Sequence, residues 1–590
     1  MFRPAQLSKP RWYGNLKRYR LANFFGQVEL ADVNLRRATN TNQGYATDCA
    51  ESFWTFDTDR YWEELAVTPS VEGRCPAAVD AGKEWSDLPD GPLVEKGGVA
   101  QQTRDTAEGE DGSDRTLYTY SSSSASGLRA FGTDPDQATL GGAGNTDGDA
   151  VLGYFRGDIP GLRADNIGNP EIMPDEGLRA SIHGDVVHSR PLSLRLDADT
   201  VMLFYGSNDG LYRAVNADTG EEEWAFIAPE HVSRIRRLYD NTPLIDYENG
   251  DQSSASSYTK KDYFFDGSTG QLVIREANVN PLSTALGALE AAYIYPTMRR
   301  GGRMVYAFEV TDPTNPKLIW RQGCPNLDND VGCTTGFEDI GQTWSTPVTV
   351  YAKEYPGGGE DPEPLLIFGG GFVDCLNADQ ADYPSTACSS AKGKGIYVVD
   401  AITGDLVRHF DESDGLDAPV ITQLSPIDVD SDGLVDLVYF ADVKGGLWRI
   451  SPADLTLDLS NISEVPAGAI AAREESEWGV EKIAQVPGTT RRIYNSPTVG
   501  LYRGTIFVTT GTGDRERPLE SNYPYADDVQ NRFYVLADRP FLDYQARQEE
   551  GDDYTRRVVD LEGSTMYQVR SGVEPTEAEV DGWWLDLPDR

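Results

Sequence analysis

The feature that most restricts how this chain can fold is a unit of strand, tight turn and strand that keeps returning. Residues 201–205 read as a strand, Gly206-Ser-Asn-Asp-Gly210 as a tight turn and residues 211–215 as a second strand. Asn216-Ala-Asp-Thr-Gly220 then turns the chain into 221–226, which carries Trp224. Weaker copies run from Tyr306 through Asp312 to Trp320 and from Ile396 through Gly404 to Val407, and further ones begin at Leu447 and Phe533. Their apolar residues alternate or run on continuously, as strands of a mostly buried sheet require. A short strand also follows each of Ser189-Arg-Pro191, Ser345-Thr-Pro347, Ser425-Pro426 and Ser496-Pro497, and proline is tolerated at a strand start. Strand groups recurring at roughly 50–90 residues, with loop insertions making up the excess, point to an all-β chain folded as a β-propeller across residues 1–590. The alternative is a stack of unrelated β-domains.

Three stretches interrupt the pattern. Residues 103–150 are rich in Asp, Gly, Ser and Thr and read as an exposed loop insertion. Residues 229–239 predict a short surface helix opened by Pro229, with Arg234, Arg236 and Arg237 on a solvated face or against an acidic partner. With the polar, Ser-rich 248–260 this makes a helix-plus-loop insertion over 229–260.

A formal net charge of -43 over 590 residues excludes nucleic acid or anionic membrane as the main partner, because most of the surface would repel phosphate. It suits calcium, a saline environment or a basic partner. No stretch reaches the length of a membrane span, and Met1-Phe-Arg-Pro-Ala-Gln6 lacks the apolar core of an export signal, so the native N-terminus is expected upstream. The six cysteines fall into close pairs, Cys49 with Cys75, Cys324 with Cys333 and Cys375 with Cys388. Three disulfides in an oxidising compartment are expected, free cytosolic thiols being the alternative. Without CxxC spacing, and with four histidines in all, a zinc site is not expected.

One loop carries chemistry. In Asp428-Val-Asp430-Ser-Asp432-Gly433-Leu434-Val435-Asp436, oxygen donors fall at positions 1, 3, 5 and 9 with glycine at 6. That is the stride of a calcium loop, with Leu434 offering the backbone carbonyl of position 7. Position 12 is Tyr439 rather than a bidentate glutamate, and the following 437–440 read as a strand, so the loop lies between strands and not between helices. The metal ligands expected are therefore Asp428, Asp430, Asp432, Leu434 and Asp436, and the ion Ca2+. The alternative is an acidic surface turn. His183 and His188, flanking Gly184-Asp185, read as structural rather than metal ligands.

Several of these segments resemble one family. Trp12-Tyr-Gly-Asn-Leu-Lys-Arg-Tyr19, His188-Ser-Arg-Pro191, Tyr205-Gly-Ser-Asn-Asp-Gly210, Gly341-Gln-Thr-Trp-Ser-Thr-Pro347 and the acidic loop followed by Asp442-Val-Lys-Gly-Gly-Leu-Trp-Arg449 are similar, in order, to the C-terminal region of PilY-type proteins of type IV pili. The resemblance implies a modified, quinoprotein-like propeller of about seven blades, exported through the periplasm and displayed at the pilus tip or cell surface. It implies calcium at Asp428, Asp430, Asp432, Asp436 and the Leu434 carbonyl, assembly with minor pilins of the filament, and roles in pilus extension, twitching motility and adhesion to a surface ligand. It implies no catalytic residue. The family's variable N-terminal adhesive region has no counterpart here, and the family continues beyond the motif matched by 582–588. The blade holding 567–570 and Trp583-Trp584 is accordingly expected to be unfinished, with both tryptophans on an open strand edge.

Two enzymatic readings compete. Ala214-Val-Asn-Ala-Asp-Thr-Gly-Glu-Glu-Glu-Trp224 fits the tryptophan-docking repeat of quinone-dependent dehydrogenases, but that repeat is structural, and adjacent cysteines and a haem CxxCH are both absent. Glycoside hydrolysis by paired carboxylates finds many carboxylates and no pair distinguished by spacing. Gly511-Thr-Gly-Asp514 lacks the lysine of a phosphate-binding loop.

Overall fold

The structure is a computed structural model describing all residues except 1, 5–8, 41–45, 58–86, 107–114, 133–135, 142–146, 158–177, 180, 246–258, 277–286, 357–361, 374–391, 458–464, 489, 515–528, 551–557, 570–580 and 589–590. Its described residues form five large sheets that follow one another along the chain, each built on antiparallel neighbours in sequence order. The first holds Leu192–Arg195, Val201–Gly206, Leu211–Asn216 and Glu222–Ile227. The second holds Thr269–Arg275, Leu289–Pro296, Arg303–Glu309 and Lys317–Cys324, and the third Val348–Tyr351, Pro364–Gly369, Ile396–Asp400 and Leu406–Phe410. The fourth holds Ser425–Ile427, Leu437–Ala441, Gly446–Ser451 and Gly479–Gln485, and the fifth Thr498–Tyr502, Thr505–Gly511, Arg532–Asp538 and Gly582–Asp586.

Successive sheets pack face to face. Phe204, Tyr212, Trp224 and Phe226 of the first meet Ile294, Tyr306 and Phe308 of the second. Tyr295 and Trp320 meet Leu366, Phe368 and Tyr397; Ile367 and Val398 meet Phe440 and Trp448; Leu437 and Tyr439 meet Val508, Tyr534 and Trp584. Because both faces are covered, the strands lose the polar-out alternation of a half-buried sheet. This is the serial sheet packing of a β-propeller. Five sheets are described where the resemblance leads one to expect about seven.

Tryptophans join neighbouring units. The Trp320 indole N–H donates to the Ala401 carbonyl of the third sheet's turn at 3.1 Å, and a Cβ on Gly404 would fall 2.6 Å from its ring. Trp224 donates to the Pro313 carbonyl of the second sheet's turn at 2.8 Å. Trp54, from the N-terminal segment, docks on the first sheet's turn in the same way, donating to Ala217 at 3.0 Å and lying over Gly220. The serines preceding the first strands tie down the strand beside them. Ser189 Oγ accepts the Gly206 amide at 2.9 Å and Ser345 Oγ the Gly369 amide at 3.0 Å. In the fourth sheet Thr422, not Ser425, fills this place, its hydroxyl donating to the Ala441 carbonyl at 3.0 Å.

Three expectations need correction. Residues 103–150 are not one loop. Leu117–Tyr120 adds in parallel to Glu222–Ile227, Leu128–Ala130 pairs beyond it, and helices cover Asp136–Gly141 and Gly148–Arg156. The Ser and Gly run is the turn between the two strands, and residues 107–114 lie outside the described residues. The helix Pro229–Asp240 is not a plain surface helix, because Val232, Ile235 and Leu238 are buried against Leu211, Ala225 and Ile227 and so close the outer face of the first sheet. Its arginines are paired within the chain, Arg234 and Arg237 with Asp262 and Arg236 with Asp147 and Asp240. Most of 248–260 lies outside the described residues. Finally, the Trp583-Trp584 strand is not an edge. It lies between Arg532–Asp538 and a parallel strand, Met566–Gln568; Trp584 points into the last seam, 9% exposed, and Trp583 outward, 37% exposed.

Cys324 and Cys333 form a disulfide, and Cys49 is disulfide-bonded. Cys75, Cys375 and Cys388 lie outside the described residues.

The seam aromatics carry the fold's stability. Trp224→Ala is expected to cost about 3–5 kcal/mol in urea unfolding, and Phe25→Ala, at a fully exposed hairpin tip, no more than about 0.5 kcal/mol.

Candidate metal centre

The acidic loop joins Ser425–Ile427 to Leu437–Ala441, two antiparallel strands closed by the Ile427–Leu437 pair. Ser431 and Gly433 take positive φ, 59° and 91°, which reverses the chain twice within three residues. Side chains alternate: Val429 goes into the core between the fourth and fifth sheets and Val435 into the core between the third and fourth. Asp430 and Asp432, between these anchors, and Asp428, just before the first, turn towards one another. One carboxylate oxygen each from Asp428, Asp430 and Asp432 lie within 4.8 Å of one another.

Backbone amides fix the rosette. Asp428 accepts from the Gly433 amide at 2.8 Å, Asp432 from Leu434 at 2.9 Å, and Asp430 Oδ2 from the Ile470 amide at 2.8 Å. Asp436 Oδ2 accepts from Val429 at 2.6 Å. The second Asp430 oxygen, Oδ1, is buried and has no hydrogen-bond partner. Among the described residues Asp432 pairs with Lys353, 3.9 Å away. Burial first, then the charges of Asp430 and Asp428, push the Asp436 carboxyl up to about 7. Of the three clustered carboxylates Asp430 is buried and Asp428 half-buried, so their mutual repulsion is only partly screened by water.

Of the five expected ligands, the structure thus gathers Asp428, Asp430 and Asp432 into one cluster. Asp436 stands beside them, coupled through its charge, and Leu434 is seen only to donate its backbone amide to Asp432. Ile470, which steers Asp430, and Lys353 carry no signal in the local sequence, because both come from distant segments. Cys324, Asp330 and Cys333 also cluster, but the sulfurs are joined to each other and Asp330 is paired with Arg303 and Lys392.

The histidines do not converge. His183 is buried, its Nδ1 against the Gly184 carbonyl and its Nε2 2.7 Å from the Tyr205 hydroxyl, and burial with the nearby Arg213 charge lowers its pKa to about 3. His188 pairs with Asp266 at 2.6 Å. Asp514, at the end of the glycine-rich turn, is buried beside Arg492 at 3.5 Å.

Comparison with known proteins finds pilus-associated relatives. The chain is 23% identical over 454 residues to the type IV pilus biogenesis factor PilY1 homolog of Xylella fastidiosa, an alignment covering 72% of this chain and 30% of that protein. It is 23% identical over 425 residues to PilY1 of Pseudomonas aeruginosa strain PAK, covering 67% and 30%. The chain is thus similar to proteins named as PilY1 type IV pilus biogenesis factors. It spans less than a third of the length of these relatives. No family model matches it. Among solved structures it is similar to the Pseudomonas aeruginosa PilY1 C-terminal domain, with TM-score 0.41 and 17% identity, covering 66% of this chain and 71% of that one. A quinohemoprotein alcohol dehydrogenase from Comamonas testosteroni gives TM-score 0.28 and 12% identity, covering 58% and 50%.

His183 supplies a pH test. A base whose folded pKa lies below its unfolded value of about 6.5 must be carried neutral, so the unfolded chain binds the extra proton as acid is added. Its contribution is intact above pH 6.5 and is lost as pH falls towards about 3. In acid unfolding curves, His183→Gln is expected to flatten this part of the profile, a loss of several kcal/mol in order of magnitude in the parent.

Proposed function

We propose that this chain is a calcium-binding, non-enzymatic propeller of the type IV pilus machinery, acting outside the cell at the pilus tip. Calcium is held by Asp428, Asp430, Asp432 and Asp436 and the Leu434 carbonyl. Its partners are minor pilins of the filament and a surface ligand, and it supports pilus assembly and extension, twitching motility and adhesion. The observation that carries the metal reading is the carboxylate cluster with its buried, unpartnered Asp430 oxygen. The pilus reading rests on similarity to proteins named as type IV pilus biogenesis factors. No helix among the described residues is long and apolar enough to cross a membrane.

The loop would act as a local clamp. Val429 and Val435 anchor it in two neighbouring seams, so neutralising its charge would tighten the junction of the third, fourth and fifth sheets rather than create the fold. Calcium at about 100 times its dissociation constant would add about 2.7 kcal/mol of stability.

Calorimetry on the parent chain is expected to show one calcium site and a calcium-dependent rise in melting temperature. Asp430→Ala is expected to abolish both while leaving the circular dichroism spectrum unchanged. Calcium binding at parental strength in that variant would reject the site. Dye reduction on addition of quinone and alcohol, which this reading does not expect, would favour the dehydrogenase alternative.

A further inference from the structure

The N-terminal hairpin is unlike the rest of the molecule. Arg20–Phe24 and Gln27–Ala31 form a two-stranded sheet that joins none of the five large ones. Register puts Leu21 opposite Leu30 and Asn23 opposite Val28, so these four side chains share one face. That face is bare: Leu21 is 71% and Val28 66% exposed, and Leu30 is exposed too. Phe25, at φ 53° in the turn with Gly26, is fully exposed at its tip. The opposite face is covered, with Ala31 buried, Arg37 paired with Glu29 at 3.2 Å and its guanidinium 5.4 Å from the Phe24 ring. The base is tied down, Phe53 donating its amide to the Arg18 carbonyl at 2.9 Å and Arg20 reaching the Val33 carbonyl at 3.0 Å.

The outer edge of the first strand is open as well. Among the described residues no backbone group of Leu21–Phe24 bonds to anything but the partner strand. Proteins guard such edges with proline, bulges or lysine; this strand has none, and its register is regular. A two-stranded hairpin is marginal alone, and an apolar face beside an open edge is the arrangement that strand addition completes.

Charge says what kind of strand fits. The first 40 residues hold eight Lys and Arg against two Asp and Glu, where the whole chain holds 52 against 95. Lys17, Arg18 and Arg37 are paired with Asp90, Asp218 and Glu29. Arg20 and Arg36, both exposed near the hairpin's base, have no acidic partner among the described residues. A second copy docking symmetrically would bring these like charges together. A lipid surface fits less well, because the apolar face of Leu21, Val28 and Leu30 runs along the hairpin, with Phe25 alone at a tip flanked by polar Asn23 and Gln27.

We propose that this hairpin is a docking element for an extended, acidic strand of a partner protein, which pairs with the free edge of Arg20–Phe24, lays apolar side chains beside Leu21, Val28 and Leu30, and meets Arg20 and Arg36 with carboxylates. The site stands independently of the calcium loop and of the pilus reading.

The test uses the full chain and two fluorescent nine-residue peptides, one alternating valine with glutamate and one alternating valine with lysine. Anisotropy is expected to show saturable binding of the glutamate peptide, with the lysine peptide roughly tenfold weaker, the equivalent of two exposed ion pairs. Hydrogen exchange is expected to slow at the amides of Leu21–Phe24 on binding. Leu21→Ser with Val28→Ser should remove the binding while leaving the thermal unfolding curve in place, because both side chains are already in water. Equal binding of both peptides, absence of saturable binding, or protection elsewhere overturns the proposal. So does binding to phosphatidylglycerol vesicles that Phe25→Ser abolishes, which would make the tip a lipid anchor. Self-association in sedimentation that the double variant abolishes would instead assign the face to a second copy.

Discussion

Burial of both faces of each sheet is the constraint from which most of this structure follows. A sheet covered on one side can keep its polar residues in water, but a sheet between two others cannot, and any charge within it must bring its own counter-charge. Arg213 and Arg449 show how this is met. Each follows Leu and an aromatic residue in a buried strand, Leu-Tyr-Arg-Ala-Val and Leu-Trp-Arg-Ile-Ser. Arg213 is clasped by Asp209 and Glu222, the latter shared with Arg115 at 2.8 Å. Arg449 bonds Asp538 at 2.5 Å and Glu481 at 3.1 Å, and the Tyr439 hydroxyl adds a bond to Asp538 at 2.7 Å. Arg449 and Asp538 belong to neighbouring sheets, so this pairing also fixes how the fourth sits on the fifth.

The same constraint shapes the acidic loop. A surface turn with four aspartates would spread them into solvent. Here alternate residues are drawn into two different seams, Val429 on one side and Val435 on the other, and the Val435 amide donates to the Tyr351 carbonyl of the third sheet at 2.8 Å. Held at both shoulders, the loop has little freedom to part Asp428, Asp430 and Asp432. Packing in the two seams thus keeps these three carboxylates close together, where the loop alone would let them part.

Much of this was legible in the sequence because it repeats. The turn ending in Gly220 and the turn ending in Gly404 mark positions where an indole lies against the backbone, and Trp54, Trp224 and Trp320 take up equivalent hydrogen bonds to successive turns. The donor stride of 428–436 was readable for the same reason: local spacing fixes which side chains share a face. What could not be read were relations between distant segments. Leu117-Tyr-Thr-Tyr120 is too short to stand out from its Ser- and Gly-rich surroundings, and it becomes a strand because Glu222–Ile227 offers it an edge. The helix Pro229–Asp240 reads as amphipathic, but that its apolar side replaces a neighbouring sheet depends on which face of the first sheet is left over. Proximity of Ile470 to Asp430 is likewise a product of tertiary packing.

The two ends of the series of sheets differ in a way that a pattern of strands cannot reveal. At the first sheet, helices and the Trp54 segment supply the apolar cover that a further sheet would otherwise provide. At the fifth, the strand carrying Trp583 has hydrogen-bonded neighbours on both sides, so its backbone requires nothing more. Among the described residues what is open there is a face, with Trp583 6.0 Å from Phe507 and Tyr502 exposed on the same sheet. An open edge is completed by a strand, whereas an open face is completed by packing, and the two make different demands on whatever meets them. The fifth sheet presents the second kind of surface and the N-terminal hairpin the first, together with a face of its own. The hairpin's edge specifies direction and register through main-chain bonds; the sheet's face specifies only shape and apolar character.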